Sequence, residues 1–322
     1  MHNLCCISLT LKKAGFNHRA MRYNQFSKHE RSESLNILGQ RSLENLETTL
    51  ETMKFAYQNC WGYRISSTLF PLFNLDKANV GINDLPNATL INDKFNEIRD
   101  FVTSHSPRDF RISFHPDHFN VLCSANPEVV RRTIKELDHH AWLMDRMAGE
   151  ISRNYWYPLN IHMSRSTGDP QIIAKEFIKN YVKLPKRVRD RLVLENEDKG
   201  VWTPDLLYEL IHKPTGIPIT FDNLHHKCNP GKLSEHQAFD LCYHTWPCTP
   251  LFHYSEGGAN NNPRAHIDYP TSCPDEYMHK YVINHGSYNV DWDIELKQKD
   301  YAITHLEELE VKFDKRREKL LV

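Results

Sequence analysis

The sequence has no long apolar run. Nowhere in its 322 residues do about 18 apolar residues follow one another without interruption, as a membrane-crossing helix requires. The start of the chain also lacks the basic segment and long apolar stretch of a secretory signal peptide. We therefore expect a cytoplasmic protein that has no contact with a membrane.

Paired cysteines and glycine-rich turns are missing as well. The eight cysteines include no Cys-x-x-Cys pair, which excludes a zinc ribbon and a thioredoxin-like redox site. The chain has only 12 glycines, and no G-x-G-x-x-G string follows an apolar run, so no nucleotide cofactor is expected. The formal net charge of −1 excludes binding of nucleic acid through bulk positive charge and leaves only a local basic groove for that role.

Segments of helical periodicity alternate with short apolar runs. The predicted helices are Ser42–Tyr57, Asn126–Met147, Pro170–Val182, Thr203–His212, Ser234–Tyr243 and Tyr301–Leu320. The predicted strands are Cys6–Leu11, Tyr63–Ser66, Phe110–Phe114, Leu159–Ile161, Leu192–Leu194, Ile219–Phe221, Leu251–Phe252 and Val290–Ile294. This alternation predicts an α/β fold, a (β/α)8 TIM barrel. We expect one domain over residues 1–322, with residues 301–322 as a C-terminal helical extension and Glu256–Arg264 as a long loop.

Histidine is abundant, with 19 residues, and several histidines and carboxylates stand where predicted strands end. The residues at six successive strand ends are His115, His162, Glu195, Asp222, His253 and Glu295. His225 and His266 lie in the connections that follow the sixth and seventh strands. A single histidine is more often a packed or solvated residue than a metal ligand. The eight residues together favour a metal site, because the C-terminal ends of barrel strands converge on one face of the barrel and bring these side chains close to one another.

This set of residues points to metal ions. Carboxylates are rarely buried without a cation, and no matching set of Lys or Arg stands at these strand ends. Mixed His and carboxylate ligands suit Zn²⁺, Mn²⁺ or Fe²⁺, and eight ligands exceed the needs of one ion, so two or three ions are expected. Neighbouring ions suit the hydrolysis of a phosphodiester, and a sugar isomerase barrel uses a comparable pair. From the ligands alone, both reactions remain open.

Longer sequence motifs distinguish between these two reactions. They are SLTL at 8–11, NHRAMR at 17–22, YRISSTLFP at 63–71, HPDHFNVL at 115–122, NPEVV at 126–130, LENED at 194–198, DNLHHKCNPG at 222–231, HYSE at 253–256 and AHIDY at 265–269. In this order the chain resembles the UV damage endonuclease family, UvdE, on a barrel of the xylose-isomerase-like superfamily. The resemblance implies a DNA repair endonuclease, a hydrolase that uses metal-activated water to nick the backbone 5′ to cyclobutane dimers and 6-4 photoproducts. It also implies two or three divalent ions, with Mn²⁺ expected and Zn²⁺, Mg²⁺ or Co²⁺ as alternatives, and a monomer that binds double-stranded DNA carrying UV lesions.

The resemblance also assigns roles to individual residues. It makes metal ligands of the same eight residues, namely His115, His162, Glu195, Asp222, His225, His253, His266 and Glu295. Glu195 and Glu295 are the expected catalytic carboxylates. His118 and Phe119 match the pair that probes the lesion, although packing of Phe119 in the core is an alternative. Arg64 is assigned from its position rather than from the resemblance: it lies near the C-terminal end of the second predicted strand and is expected to bind DNA as part of a phosphate groove.

Two departures from the family pattern keep other functions open. The family has a ligating His where this chain has Asn74 and Leu75, and some members have a Lys where this chain has Leu251. These positions motivate one alternative, a catalytically weakened protein that binds damaged DNA. The other alternative, an apurinic-site endonuclease or a sugar isomerase, rests on the related barrel.

Overall fold

Eight parallel strands form the centre of the fold, and the computed structural model describes the chain over residues 1–150, 154–258, 262–282 and 288–320. The strands are β1 (His2–Cys5), β2 (Gly62–Ile65), β3 (Ile112–Phe114), β4 (Leu159–Ile161), β5 (Leu192–Glu195), β6 (Ile219–Thr220), β7 (Leu251–Tyr254) and β8 (Asp291–Ile294). Their order in the sheet is β6-β5-β4-β3-β2-β1-β8-β7, and a parallel bridge between Asp222 and His253 joins the two ends. The ring is nearly closed, and the predicted TIM barrel is confirmed.

Helices pack on the outside of this ring. They are α1 (Leu9–Lys13), α2 (Tyr23–Phe26), α3 (Arg31–Gln58), α4 (Ala88–Thr103), α5 (Pro127–Ala148), α6 (Pro170–Tyr181), α7 (Lys186–Arg189), α8 (Pro204–Leu207), α9 (Lys213–Thr215), α10 (Asn223–Cys228), α11 (Glu235–Tyr243), α12 (Pro274–Tyr277) and α13 (Lys299–Leu320). Local sequence sets several of their starts. Asn126 caps α5 by accepting a hydrogen bond from the Glu128 amide, and Asp169 caps α6 in the same way. None of the helices in the described ranges is long and apolar enough to cross a membrane.

The predicted first strand, Cys6–Leu11, is wrong. Strand β1 lies earlier, at His2–Cys5, because Cys6 takes a positive φ of 70° that ends the extended backbone. The Ser8 side chain then accepts a hydrogen bond from the Leu11 amide at 3.1 Å and begins α1. The apolar residues that follow Ser8 are therefore helical.

Two helices on the same side of the barrel were underestimated or missed. Helix α3 begins at Arg31 rather than Ser42, and α4 was not predicted at all. The buried residues of α4 recur at helical spacing and are Ile91, Phe95, Ile98 and Val102. This spacing would have allowed the prediction of α4, because residues three and four apart share one face of a helix.

A buried arginine closes the N-terminal end of the barrel. The side chain of Arg111 has no exposed surface, and it donates to the backbone carbonyls of Tyr155, Trp156 and Thr249 at 2.8 Å each. It also donates to the Asp291 carboxylate at 2.9 Å. Because every contact lies at the start of a strand or just before it, the other end of the barrel is left for the functional site.

The ends of two predicted segments fall partly outside the described residues. The loop predicted over Glu256–Arg264 includes residues 259–261, which lie outside them. The predicted C-terminal extension is helical in α13 as far as Leu320, and residues 321–322 lie outside the described residues as well.

Candidate metal centre

The carboxylate of Glu195 lies at the centre of four imidazoles. It is the last residue of β5 and is almost fully buried. Its oxygens are 3.0 Å from His225 Nδ1, 3.1 Å from His115 Nε2, 3.2 Å from His253 Nδ1 and 3.6 Å from His162 Nε2. Four of these residues lie at or near the C-terminal ends of β3, β4, β5 and β7, and His225 lies on α10 after β6, as the sequence predicted. The barrel has therefore brought together side chains that are far apart in the chain.

A helix cap adds Asp222 to this cluster. Asp222 follows β6 and is the N-cap residue of α10, and its Oδ1 accepts a hydrogen bond from the His225 amide at 2.6 Å. The cap fixes the first turn of α10, which carries His225. The imidazole of His225 in turn lies next to the backbone carbonyl of Asn196, with Nδ1 at 2.9 Å from the oxygen. The D-x-x-H spacing therefore follows from the geometry of a capped helix start.

Seven of the eight predicted ligands fall into three groups whose ligand atoms lie within 4.8 Å of one another. The groups are His115 with Glu195 and His253, His162 with Glu195 and His225, and Asp222 with His253 and Glu295. The eighth, His266, lies outside these groups, and its Nε2 is 3.8 Å from Glu295 Oε2. Each group matches the size and composition of a site for one divalent ion.

The buried carboxylates and imidazoles of the cluster shift one another's pKa values. Burial would raise the pKa of Glu195, but the imidazoles of His253 and His162, and hydrogen bonds from the other two histidines, hold it well below its ordinary value. Burial would lower the pKa of His225, yet Asp222 and Glu195 raise it to about 11. In the same way Glu195 and Glu295 overcome burial and raise the pKa of His253 to about 9. Without a metal ion, these raised pKa values favour protonated imidazoles of His225 and His253 beside the carboxylates.

Two buried atoms in the cluster lack a hydrogen bond. Among the described residues, neither His253 Nδ1 nor Asp222 Oδ2 has a hydrogen-bond partner. Asp222 Oδ2 can donate a lone pair, and so can His253 Nδ1 once its imidazole has lost a proton; both atoms belong to the group that contains Glu295. Buried polar atoms are normally paired, so these two atoms fit a site that receives a cation.

No set of Lys or Arg that matches the carboxylates was expected at these strand ends, but Glu295 does have an arginine partner. Arg64, at the end of β2, is buried and forms an ion pair with Glu295 and a second, at 3.4 Å, with Asp293. Burial would raise the pKa of Glu295, but Arg64, followed by His253, keeps it well below its ordinary value. Arg64 was predicted to bind DNA, and in this structure its guanidinium is directed at internal carboxylates.

The predicted probe residues are on the surface. Phe119 is 74% exposed, which rules out the alternative that it packs in the core. Its ring lies 4.2 Å, centroid to centroid, from that of His118, whose Nδ1 is 3.0 Å from Asp117. An exposed phenylalanine of this kind is a candidate contact for a partner molecule. The pair follows His115 in the same loop, so it lies close to the metal centre along the chain.

Two buried residues beside the cluster were not predicted from the sequence. Asn160 Nδ2 donates to Glu195 Oε2 at 2.5 Å, and Asp293 Oδ2 is 3.6 Å from His253 Nε2. Each lies two residues before a predicted ligand on the same strand, and alternate residues of a strand point to the same side. This period of two could have identified both residues as neighbours of the metal centre.

The two positions that depart from the family pattern are apolar in the structure too. Leu251 is buried in β7, and Leu75 packs against the hydrophobic core. Neither side chain offers a ligand atom. The three groups described above do not involve these positions.

A cavity of about 600 Å³ lies beside α10. Its lining includes Lys227, Cys228 and Arg264, together with backbone of the glycine-rich loop after β7. Arg264 forms an ion pair with Asp198 at 3.3 Å, and it is half exposed. Lys227 is two residues after His225 on α10, and together with Arg264 it places positive charge on the wall of the cavity.

Comparison with known proteins agrees with this geometry. A sequence profile of the family described as "UV-endonuclease UvdE" matches residues 2–318. The chain is 30% identical to a UV DNA damage endonuclease of Nostoc sp. over 311 residues, which cover 94% of this chain and 88% of that protein. The crystal structure of SacUVDE superposes with a TM-score of 0.79 at 28% identity, covering 97% of this chain and 98% of that one. A D-tagatose 3-epimerase-like protein superposes with a TM-score of 0.57 at 15% identity, over 87% of this chain and 97% of the other, which shows the shared fold alone.

Proposed function

This chain belongs to the UV-endonuclease UvdE family, and from that premise we propose that it cuts the DNA backbone on the 5′ side of ultraviolet photoproducts with the help of divalent metal ions. Membership makes it an enzyme, a UV DNA damage endonuclease that hydrolyses phosphodiester bonds. The proposal adds the residues that carry out the reaction, the ions they hold and the part of the surface that meets DNA. We further propose that residues 1–322 form a single domain and that the chain acts as a monomer.

The observation that carries the proposal is the sharing of ligands among the three groups. Glu195 belongs to two of them, and His253 also belongs to two. Shared ligands hold neighbouring ions close together, and a close pair or trio of ions suits the displacement of one phosphate oxygen by another. We therefore propose two or three ions, with Mn²⁺ as the metal, held by the seven grouped residues and by His266.

When bound, the ions supply positive charge for the phosphate oxygens and lower the pKa of a water molecule. The side chains have separate tasks. Glu195 and Glu295 provide the negative charge that would hold cations at the C-terminal end of the barrel. The ion pair with Arg64 fixes the position of the Glu295 carboxylate. His225 and His253 must give up their protons before their nitrogens can bind an ion, since a ligating nitrogen needs a free lone pair.

The exposed pair His118 and Phe119 supports recognition of the lesion. An aromatic ring that enters a gap in stacked bases gains about 1–3 kcal/mol per base. Phe119 is four residues after His115, and four extended residues span at most about 14 Å. A lesion held by this ring would therefore lie within a few nucleotides of the metal centre, which agrees with a cut directly beside the damage.

The cavity next to α10 supports a path for the DNA backbone. Lys227 and Arg264 line it, and cations of this kind bind phosphates without regard to sequence. The formal net charge of the whole chain is only −1, so such a local basic wall is the electrostatic attraction that remains. We propose that the strand to be cut passes along this wall.

The direct test uses a duplex that is labelled at one end and irradiated. The purified protein with Mn²⁺ is expected to nick it immediately 5′ to the photoproducts and to leave an undamaged duplex of the same sequence intact. Glu195→Gln should abolish cutting while the protein remains folded. Failure of the wild-type protein, shown to contain its ions, to nick the irradiated duplex would overturn the proposal.

Related barrels suggest the controls. An abasic duplex and a ketose are offered to the same preparation, and cutting of the abasic duplex alone, or isomerisation of the ketose, would assign one of those activities instead. Leu75 and Leu251 motivate a third possibility, a protein that binds damage without cutting. That possibility predicts a depleted metal centre, so measuring the ions per chain separates it from the enzyme.

A further inference from the structure

Asp293 is a buried carboxylate that the mechanism above does not use. It lies in the middle of β8, is 1% exposed, and points into the barrel, on the same side of the strand as Glu295. A carboxylate in the interior of a barrel needs a reason, because an ionised group is rarely buried without partners. Its partners connect it to the metal centre.

Each oxygen of Asp293 has a distinct set of contacts. Oδ1 accepts a hydrogen bond from Asn3 Nδ2 at 2.9 Å. Oδ2 is 3.4 Å from Arg64 Nη1 and 3.6 Å from His253 Nε2. The carboxylate therefore links β1, β2 and β7, and two of its neighbours, Arg64 and His253, also contact Glu295.

The two nitrogens of His253 face in different directions. Nδ1 faces the cluster, at 3.2 Å from Glu195 and 3.4 Å from Glu295. Nε2 faces Asp293 and lies 3.3 Å from Asn160 Nδ2. If Nδ1 binds an ion, the ring proton is on Nε2 and needs an acceptor. Asn160 presents a donor there, because its amide already donates to Glu195, whereas Asp293 presents a carboxylate oxygen.

We propose that Asp293 is a positioning residue that accepts the Nε2–H of His253 and thereby directs Nδ1 of the same ring at the metal ions. The inference rests on the proposed function, in which the cluster binds metal. A carboxylate behind a ligating histidine fixes the ring and its proton, and it makes the ligating nitrogen more basic. Since His253 belongs to two of the three groups, one carboxylate would influence two ions.

The barrel is shaped to hold Asp293 in this position. Asn3, its hydrogen-bond donor, pairs with Gly62 in the register of β1 and β2. A Cβ atom at Gly62 would lie 2.1 Å from Asn3 Oδ1 and 2.8 Å from the Arg111 carbonyl oxygen, so only glycine leaves room for this side chain. The contact between Asn3 and Asp293 thus depends on a position where any other residue would clash.

The same strand provides a matched control. Asp291 lies two residues before Asp293, is also buried and points to the same side. Its partners are Arg111 and the N-terminal ammonium of Met1, at the closed end of the barrel. It has an arginine partner, as Asp293 does, but no contact with the cluster is found among the described residues. Asp291→Asn therefore removes a buried carboxylate of the same kind without touching a predicted ligand.

The experiment measures binding of Mn²⁺ by calorimetry to wild type, Asp293→Asn and Asp291→Asn, with melting of the metal-free proteins recorded in the same buffer. Asp293→Asn is expected to bind the ions about 10–100-fold more weakly, as loss of such an outer partner does elsewhere. Asp291→Asn is expected to melt at a lower temperature and to keep the wild-type affinity. Equal affinities of Asp293→Asn and wild type would overturn the proposal.

Two further measurements separate positioning from a general structural effect. In the Co²⁺-loaded proteins, the shifted proton resonance of His253 Nε2–H should exchange slowly with solvent in wild type and rapidly in Asp293→Asn. If Asp293→Asn does not fold, Asn3→Ala tests the same contact, with a smaller loss of affinity expected and an unchanged affinity contradicting the proposal. If wild type binds no divalent ion, the proposed function fails together with this inference; if wild type binds and cuts while the variants match it, only this inference fails.

Discussion

Replacement of Glu195 by glutamine should remove most of the metal from the protein. The carboxylate lies within 3.6 Å of four imidazoles and belongs to two of the three ligand groups. Glutamine keeps the shape of the side chain and loses the charge, so those two groups lose their only anion. The group of Asp222, His253 and Glu295 does not include it. We therefore expect the variant to retain at most one tightly bound ion per chain, compared with the two or three ions proposed for the wild-type chain.

The effect on cutting can be bounded in the same way. Loss of an outer partner of a ligand already weakens metal binding or activity by about 10–100-fold, and Glu195 is itself a ligand in this account. Single-turnover nicking of an irradiated duplex by Glu195→Gln should therefore fall by more than about 100-fold. Metal content after dialysis against Mn²⁺ is measured on the same samples by mass spectrometry.

Glu197 supplies the control for this experiment. It is also buried, lies two residues further on and accepts a hydrogen bond from the Ser164 amide at 2.7 Å, but it belongs to none of the three groups. Burial raises the pKa of Glu197 to about 7, so glutamine resembles a form that this residue already adopts near neutrality. Glu197→Gln should keep its ions. A Glu195→Gln protein with the full number of ions and wild-type cutting would refute the central position of Glu195.

Three other predictions concern the probe, the protons and the closed end of the barrel. Phe119→Ala should change the free energy of unfolding by less than about 0.5 kcal/mol, because the ring is exposed. In a competition assay the variant should lose at least about fivefold of the preference for irradiated over undamaged duplex, and an unchanged preference would contradict a probing role. Because the pKa values of His225 and His253 are raised to about 11 and about 9, binding of Mn²⁺ at pH 8 should release about two protons per chain, measured by calorimetry in buffers of different ionisation enthalpy. The raised pKa values stabilise the folded metal-free protein fully at pH values below the ordinary histidine pKa near 6.5, and this stabilisation is lost as the pH rises through about 9 and then about 11. The melting temperature of the metal-free protein should therefore fall between pH 7 and pH 10. A rise would count against these protonation states. Arg111→Met should lower the free energy of unfolding by about 3–5 kcal/mol, because Asp291 would keep only the N-terminal ammonium of Met1 as an ionic partner and three backbone carbonyls would lose their donor. Metal content should not change, and an unaltered denaturation midpoint would argue against the structural role of Arg111.

The clustering of the proposed ligands was predictable because strand ends and barrel geometry are linked. An apolar run that stops at His115 or Glu195 indicates a strand, and a closed parallel barrel brings such ends to one face wherever they occur in the chain. His225 was predictable for a second reason, the capped start of α10 that begins at Asp222. Local sequence and fold class together were therefore enough to predict most of the site.

The partners of those ligands were not predictable in the same way. Arg64 and Glu295 are 231 residues apart, and nothing near either residue indicates their ion pair, which depends on β1 lying between β2 and β8. The first strand was misplaced for a local reason, since the positive φ of Cys6 is uncommon for a residue with a side chain. The distance from His266 to the cluster depends on the loop after β7, whose course the sequence does not specify.

The most direct measurement of the central claim maps the cut on an irradiated duplex as a function of bound metal. We expect the protein stripped of ions by a chelator to leave the duplex intact, and the same sample reloaded with Mn²⁺ to nick it at the phosphate immediately 5′ to each photoproduct. The undamaged duplex should remain whole in both cases. Nicking that is indifferent to the lesion, or no nicking by protein shown to hold its ions, would contradict the account.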